Sequence, residues 1–85
     1  MEFKRTERFR KDFRKLPKHV QDRVISALEQ LESDRNHPSL RTRKMEGASG
    51  VWEMRASDNY RITFQLEDDG ILLRRIGTHD ILRRE

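Results

Sequence analysis

At 85 residues, with 33% hydrophobic and 40% charged side chains, the chain has material for one small core, expected as a single domain over residues 1–85. It contains no cysteine, which excludes disulfides, thiolate metal sites and cysteine nucleophiles. Lysine and arginine outnumber aspartate and glutamate by 19 to 15, a balance that favours an anionic partner without choosing among nucleic acid, acidic protein and anionic membrane.

Residues 2–5, EFKR, read as one short strand. Thr6 follows as a helix N-cap with Glu7 in the first turn, where a carboxylate suits the helix dipole. Phe9, Phe13 and Leu16 recur on one helical face, and Pro17 ends that helix and opens the next. In KHVQDRVISALEQLES the apolar set is Val20, Val24, Ala27, Leu28 and Leu31, the clearest 3.6-residue period in the chain. Two helices joined by a tight proline turn make a hairpin with a shared apolar face. SDRNHPSL is a connection, with His37 as a turn residue before proline, while His19 falls on an exposed first turn.

Beyond it the period changes to two. RTRKME is a short basic strand and GASG a turn. VWEMRAS alternates Trp52, Met54 and Ala56 against Val51, Glu53 and Arg55. Ser57, Asp58 and Asn59 turn the chain into NYRITFQLE, which sets Tyr60, Ile62, Phe64 and Leu66 against Arg61, Thr63, Gln65 and Glu67. A second turn, Asp68-Asp69-Gly70, leads into ILLRRIG. The expected fold is α+β: an N-terminal strand and a two-helix hairpin packed on one face of a twisted antiparallel sheet of three to four strands.

With Trp52, Met54, Tyr60, Ile62 and Phe64 toward the helices, alternation sends Arg55 and Arg61 to the opposite face. The last strand has two registers. Packing Leu72 and Ile76 inward adds Arg75 to that group, and packing Ile71 and Leu73 inward adds Arg74 instead. The first is preferred, because Ile76 is the last apolar residue before Gly77. Arg43 and Lys44 extend the basic group, and His79 follows at the strand's end. Guanidinium groups pair with phosphate through two N–H donors, and an adjacent histidine can exchange a proton near neutrality. A solvated face, with Glu53 paired to Arg55 or Arg61, explains the same pattern without any ligand. Three scattered histidines without His-x-x-x-His spacing make a poor metal site.

The pieces F-x-x-x-F-x-x-L-P, VQDRV-x-x-AL-x-x-L, HPSLRTRKMEG, WEMRASDNYRITF and LLRRIGTHD, in this order over nearly the whole chain, resemble the RelE/ParE superfamily of bacterial toxins. The resemblance implies a type II toxin–antitoxin toxin, and its RelE branch a metal-independent endoribonuclease that cleaves mRNA, commonly at the ribosome, and so arrests translation and growth. It implies no cofactor. By match to the branch's motifs, Arg61 acts on the scissile phosphate, His79 is the acid or base, and Arg75 is a further strand arginine, with Arg43 and Lys44 gripping RNA. The stretch after His79 departs from the branch, which often stacks an aromatic there; here Asp80 and ILRRE follow, in place of a final helix. Two alternatives stay open: a ParE-like toxin that inhibits DNA gyrase by binding, and an inactive member that only binds its antitoxin. The implied partners are an antitoxin with an acidic contacting segment, mRNA and the ribosome, and operator DNA through the antitoxin complex. No apolar run approaches the ~20 residues that span a bilayer, and the N-terminal stretch lacks a signal-peptide centre, so no membrane partner and a cytoplasmic setting are expected.

Overall fold

In the computed structural model, which describes residues 2–47 and 50–80, Thr6 is the joint between strand and helix. Strand β1 (Glu2–Arg5) ends at Thr6, whose side-chain oxygen accepts the Phe9 N–H at 3.0 Å and starts α1 (Glu7–Arg14). Pro17 separates α1 from α2 (Lys18–Ser33). Because α1 has only eight residues, too few to be stable alone, its far end is tied down from outside. The Gln21 side-chain amide on α2 donates to the Phe13 carbonyl at 2.9 Å. A 3-10 turn (Pro38–Leu40) follows, capped by the His37 ring, and then β2 (Arg43–Lys44), β3 (Val51–Arg55), β4 (Arg61–Glu67) and β5 (Gly70–Gly77). His19 is exposed at the start of α2.

The sheet order is β1-β5-β4-β3-β2. β2 to β5 form the expected antiparallel meander. β1 adds a fifth strand, parallel to β5, with Glu2 opposite Gly70. Contact there is so close that a Cβ on Gly70 would lie 2.0 Å from the Glu2 carbonyl oxygen. Gly70 also closes the β4–β5 hairpin after Asp68 and Asp69. At the β2–β3 turn, Gly47 and Gly50 have φ of 77° and 75°, a region open to glycine at little cost. The other two residues of the GASG turn lie outside the described residues.

The helices and one sheet face share one core. Phe9, Val20, Val24, Ala27, Leu28 and Leu31 from the helices meet Met54, Ile62, Phe64, Ile71, Leu73 and Ile76 from the strands. Trp52 stacks on Phe64 across β3 and β4 with ring centres 6.5 Å apart, a pairing worth about 0.5–1.5 kcal/mol beyond its burial. Among the described residues no helix is long and apolar enough to cross a membrane.

The preferred register of β5 needs correction. Ile71, Leu73 and Ile76 all face the core, whereas Leu72 does not. A β-bulge makes this possible: Thr63 faces Arg75 and Phe64 faces Leu73, so Arg74 is an extra residue. Leu73 and Ile76 point inward on either side of it, and both Arg74 and Arg75 turn to the other face. The strand thus uses one register on each side of the bulge.

Candidate nucleic-acid interface on the second sheet face

The outward face is built in rows set by strand register. One row runs Arg43, Glu53, Thr63, Arg75, and the next runs Arg55, Arg61, Gly77. Arg55, Arg61, Arg74, Arg75 and Arg43 therefore occupy one face of four adjoining strands. Lys44 does not join them. It pairs with Trp52 on the other side of the sheet, its ammonium 5.6 Å from the indole ring centre, a cation–π contact.

This face is less open than alternation implies. Val51, Glu53 and Thr63 on it are buried, and each arginine is engaged within the chain. Arg43 pairs with Glu53, whose side chain is only 8% exposed against 70% for its partner. Glu53 is therefore a buried carboxylate held from the adjoining β2 strand, not a surface group paired with Arg55 or Arg61. Arg55 pairs with Asp58 in the following turn. Arg74 donates to the Gln65 side-chain carbonyl at 3.2 Å. Such pairing answers the repulsion that arginines on adjacent strands would otherwise suffer.

Arg61 is held differently. Its Nη1 donates to the backbone carbonyls of Ser57 at 2.9 Å and Tyr60 at 3.0 Å, which clamps the guanidinium to the β3–β4 turn and neutralises nothing. Its Nε and Nη2 make no bond among the described residues. A half-buried arginine fixed by one nitrogen, with the rest of its fork unspent, is organised to receive an oxyanion.

Arg75 is joined to the helix layer. Its Nε and Nη2 each donate to the Asp12 carboxylate at 3.2 Å, and Asp12 also accepts the Ile76 backbone N–H at 3.0 Å. Asp12 thus takes over the β5 edge where β1 has ended, and Thr6 does the same one step earlier by donating its hydroxyl to the Arg74 carbonyl at 2.8 Å. Sequence reasoning did not single out Asp12. The signal was present: it lies at i+3 from Phe9, inside the apolar stripe of α1, where a carboxylate needs a partner.

His79 lies two residues past Gly77, the residue paired with Arg61. It is exposed in the turn that follows β5, as are Thr78 and Asp80. Register thus brings the chain after β5 to the end of the sheet that carries Arg55 and Arg61. The stretch ILRRE lies outside the described residues. Among those described, no three histidine, aspartate or glutamate side chains are grouped to hold a metal ion.

Known proteins share this architecture. RelE in the RelB–RelE antitoxin–toxin complex of Methanococcus jannaschii aligns with a TM-score of 0.75 at 22% identity, covering 95% of each chain. YoeB from Staphylococcus aureus, solved as a dimer, gives 0.77 at 12% identity, over 93% of this chain and 97% of that one. YafQ from E. coli gives 0.73 at 17%, over 95% and 96%. No curated protein matches the sequence. These likenesses establish the fold. The family model for the ParE toxin of type II toxin–antitoxin systems (parDE) matches residues 3–82, nearly the whole chain, and the chain therefore belongs to that toxin family within the RelE/ParE superfamily.

Proposed function

We propose that this toxin is an endoribonuclease that cleaves mRNA, working in the cytoplasm and at the ribosome, with the outward sheet face as its active surface. The observation that carries the reading is the row Arg55, Arg61, Gly77, with His79 following. It sets a clamped arginine with unspent donors beside a second arginine, at the end of the sheet from which the chain runs on to the exposed His79.

In the reaction, the RNA 2′-OH attacks the adjacent phosphorus, the 5′-oxygen leaves, and a 2′,3′-cyclic phosphate remains. The nucleophile belongs to the substrate, so none is required of the protein. Arg61 stabilises the charge that grows on the phosphorane oxygens. Arg55, once released from Asp58, holds the RNA by the neighbouring phosphate, and His79 carries the proton from the attacking hydroxyl or to the leaving oxygen. Arg74, Arg75 and Arg43 extend the positive surface along the strand of RNA. Lys44, on the other side of the sheet against Trp52, takes no part in that surface.

The partner that restrains this activity is an antitoxin. The structures of RelE and YafQ include complexes with RelB and DinJ, and the net charge of +4 suits an acidic segment. Operator DNA is engaged through that complex. A second reading has one specific support: the matching family is named for ParE, and the resemblance connects ParE-like members with inhibition of gyrase by contact.

Induced expression without antitoxin, with mapping of mRNA 5′ ends, separates the readings. Wild type is expected to arrest growth and produce new ends inside reading frames. Arg61→Ala and His79→Ala are expected to lose both, with cleavage slowed by about 10²–10⁴-fold for the histidine. Arrest without new ends would overturn the nuclease in favour of a protein target, and absence of arrest would leave a module that only binds its antitoxin.

A further inference from the structure

A cleft of about 220 Å³ opens between α2, the 3-10 turn and the end of β3, and of its lining the mechanism above uses only Arg55. Ala27, Leu40 and Ala56 give it an apolar part. Arg23, Ser26 and Gln30 reach it from one face of α2, at helical spacing, and Arg55 and Ser57 come from β3 and the turn after it. Arg23 is exposed and has no hydrogen bond or ion pair among the described residues. Arg55 is held by Asp58, but that carboxylate is 86% exposed, and a pair with so exposed a partner is readily exchanged.

The cleft also shares a wall with the row described above. Ser57, which lines it, is the residue whose carbonyl accepts from Arg61 Nη1 at 2.9 Å. Arg55 belongs to both.

We propose that this cleft is a nucleotide subsite, which receives the base and phosphate of the residue flanking the phosphodiester addressed by Arg61. This rests on the ribonuclease reading. The chemistry of the walls selects such an occupant. Two guanidinium groups from separate elements suit a phosphate approached from two sides. The apolar side chains of Ala27, Leu40 and Ala56 suit the face of a base, and the Gln30 amide and Ser26 hydroxyl can bond its edge. A carboxylate side chain from an acidic protein would satisfy the arginines and leave the amide and the apolar part without a role.

The test uses the full chain carrying His79→Ala, which is expected to be harmless to the expressing cell, and the four ribonucleoside 5′-monophosphates as probes. Amide NMR shifts are expected at Arg23, Gln30, Arg55 and Ser57, with binding weakened about tenfold by Arg23→Ala and abolished by Arg23→Glu. Because Arg23 is an exposed helix residue, both variants are expected to melt like the parent. Equal shifts from inorganic phosphate alone, shifts from a glutamate-rich peptide but not from nucleotides, or binding untouched by Arg23→Glu would each overturn the subsite. Cleavage by an otherwise native chain distinguishes the two readings. If RNA is cut and Arg23→Glu leaves KM unchanged, the subsite fails and the nuclease stands. If nucleotides bind in the cleft but no RNA is cut, the nuclease fails and the nucleotide site stands.

Discussion

Asp12 shows how much one side chain can settle. It is 15% exposed, it binds Arg75 through both carboxylate oxygens, and it accepts the Ile76 N–H. Removing it takes the acceptor from a backbone donor and one carboxylate partner from a guanidinium at a half-buried edge. Asp12→Ala is expected to cost about 1.5–3 kcal/mol, the range for hydrogen bonds to charged groups. Asp12→Asn keeps an acceptor for Ile76 and is expected to cost about half as much. Urea unfolding of both variants checks this, and losses under about 0.5 kcal/mol, the range of ordinary surface changes, would mean that the edge is held by other contacts. The same pair explains why Arg75 differs from Arg61: its charge is already matched by a fixed carboxylate, whereas Arg61 is held by neutral carbonyls. On electrostatic grounds Arg61 is the better candidate for direct contact with phosphate.

At the scale of elements, the helices and β3 and β4 were readable because each has one apolar side and a single period. The inward set of Val20, Val24, Ala27, Leu28 and Leu31 on α2 and the alternation of β3 and β4 toward the core stand in the structure as the pattern implies. β5 was harder, because ILLRRIG contains two registers. Its apolar positions at 71, 73 and 76 step by two and then by three, and the step of three is the mark of a bulge. Deleting Arg74 is therefore expected to give a folded protein in which Arg75 still faces outward and Ile76 inward. Stability should fall by about 1–3 kcal/mol, for the lost Thr6 bond to the Arg74 carbonyl and the lost Arg74 bond to Gln65. Thermal melting and amide exchange across β4 and β5 would show the ladder made regular, and a failure to fold would mean that the bulge is required. Gly70→Ala is a contrasting case: its new Cβ meets the Glu2 carbonyl, and the strain of displacing β1 is expected to cost about 1–3 kcal/mol, measured in the same melts. The candidate site was legible as a set of arginines but not as a circuit, since their partners Asp12, Asp58 and Gln65 are joined to them by tertiary placement that no period records. The sides taken by Arg43 and Lys44 depend on how β2 pairs with β3, which two residues of strand are too short to announce.

For the whole molecule, the basic balance of the chain is not simply displayed. Much of the charge on the second sheet face is answered internally, by Glu53, Asp58 and Asp12, so an arriving anion must replace a resident carboxylate at some positions and meets open donors at Arg61. Phosphate binding at the first kind of position releases fewer counterions than the number of arginines suggests. The salt dependence of RNA binding is accordingly expected to be shallower than a count of five arginines implies, and to steepen in Asp58→Asn, which frees Arg55. A slope unchanged in that variant would show that the pair with Asp58 is not in competition with RNA.

The parallel pairing of β1 with β5 has a consequence in time. Glu2 lies beside Gly70, Thr6 is bonded to Arg74, and Asp12 to Arg75 and Ile76, so residues 2–12, once synthesised, wait for strand residues made more than sixty positions later. Contacts of such sequence separation form late, and until β5 emerges neither the edge of the sheet nor the arginine rows can exist. A fragment lacking β5 has neither the sheet edge nor the arginine rows, so the activity proposed for that face waits until synthesis has passed β5, and a newly made antitoxin has the whole of that interval to be ready.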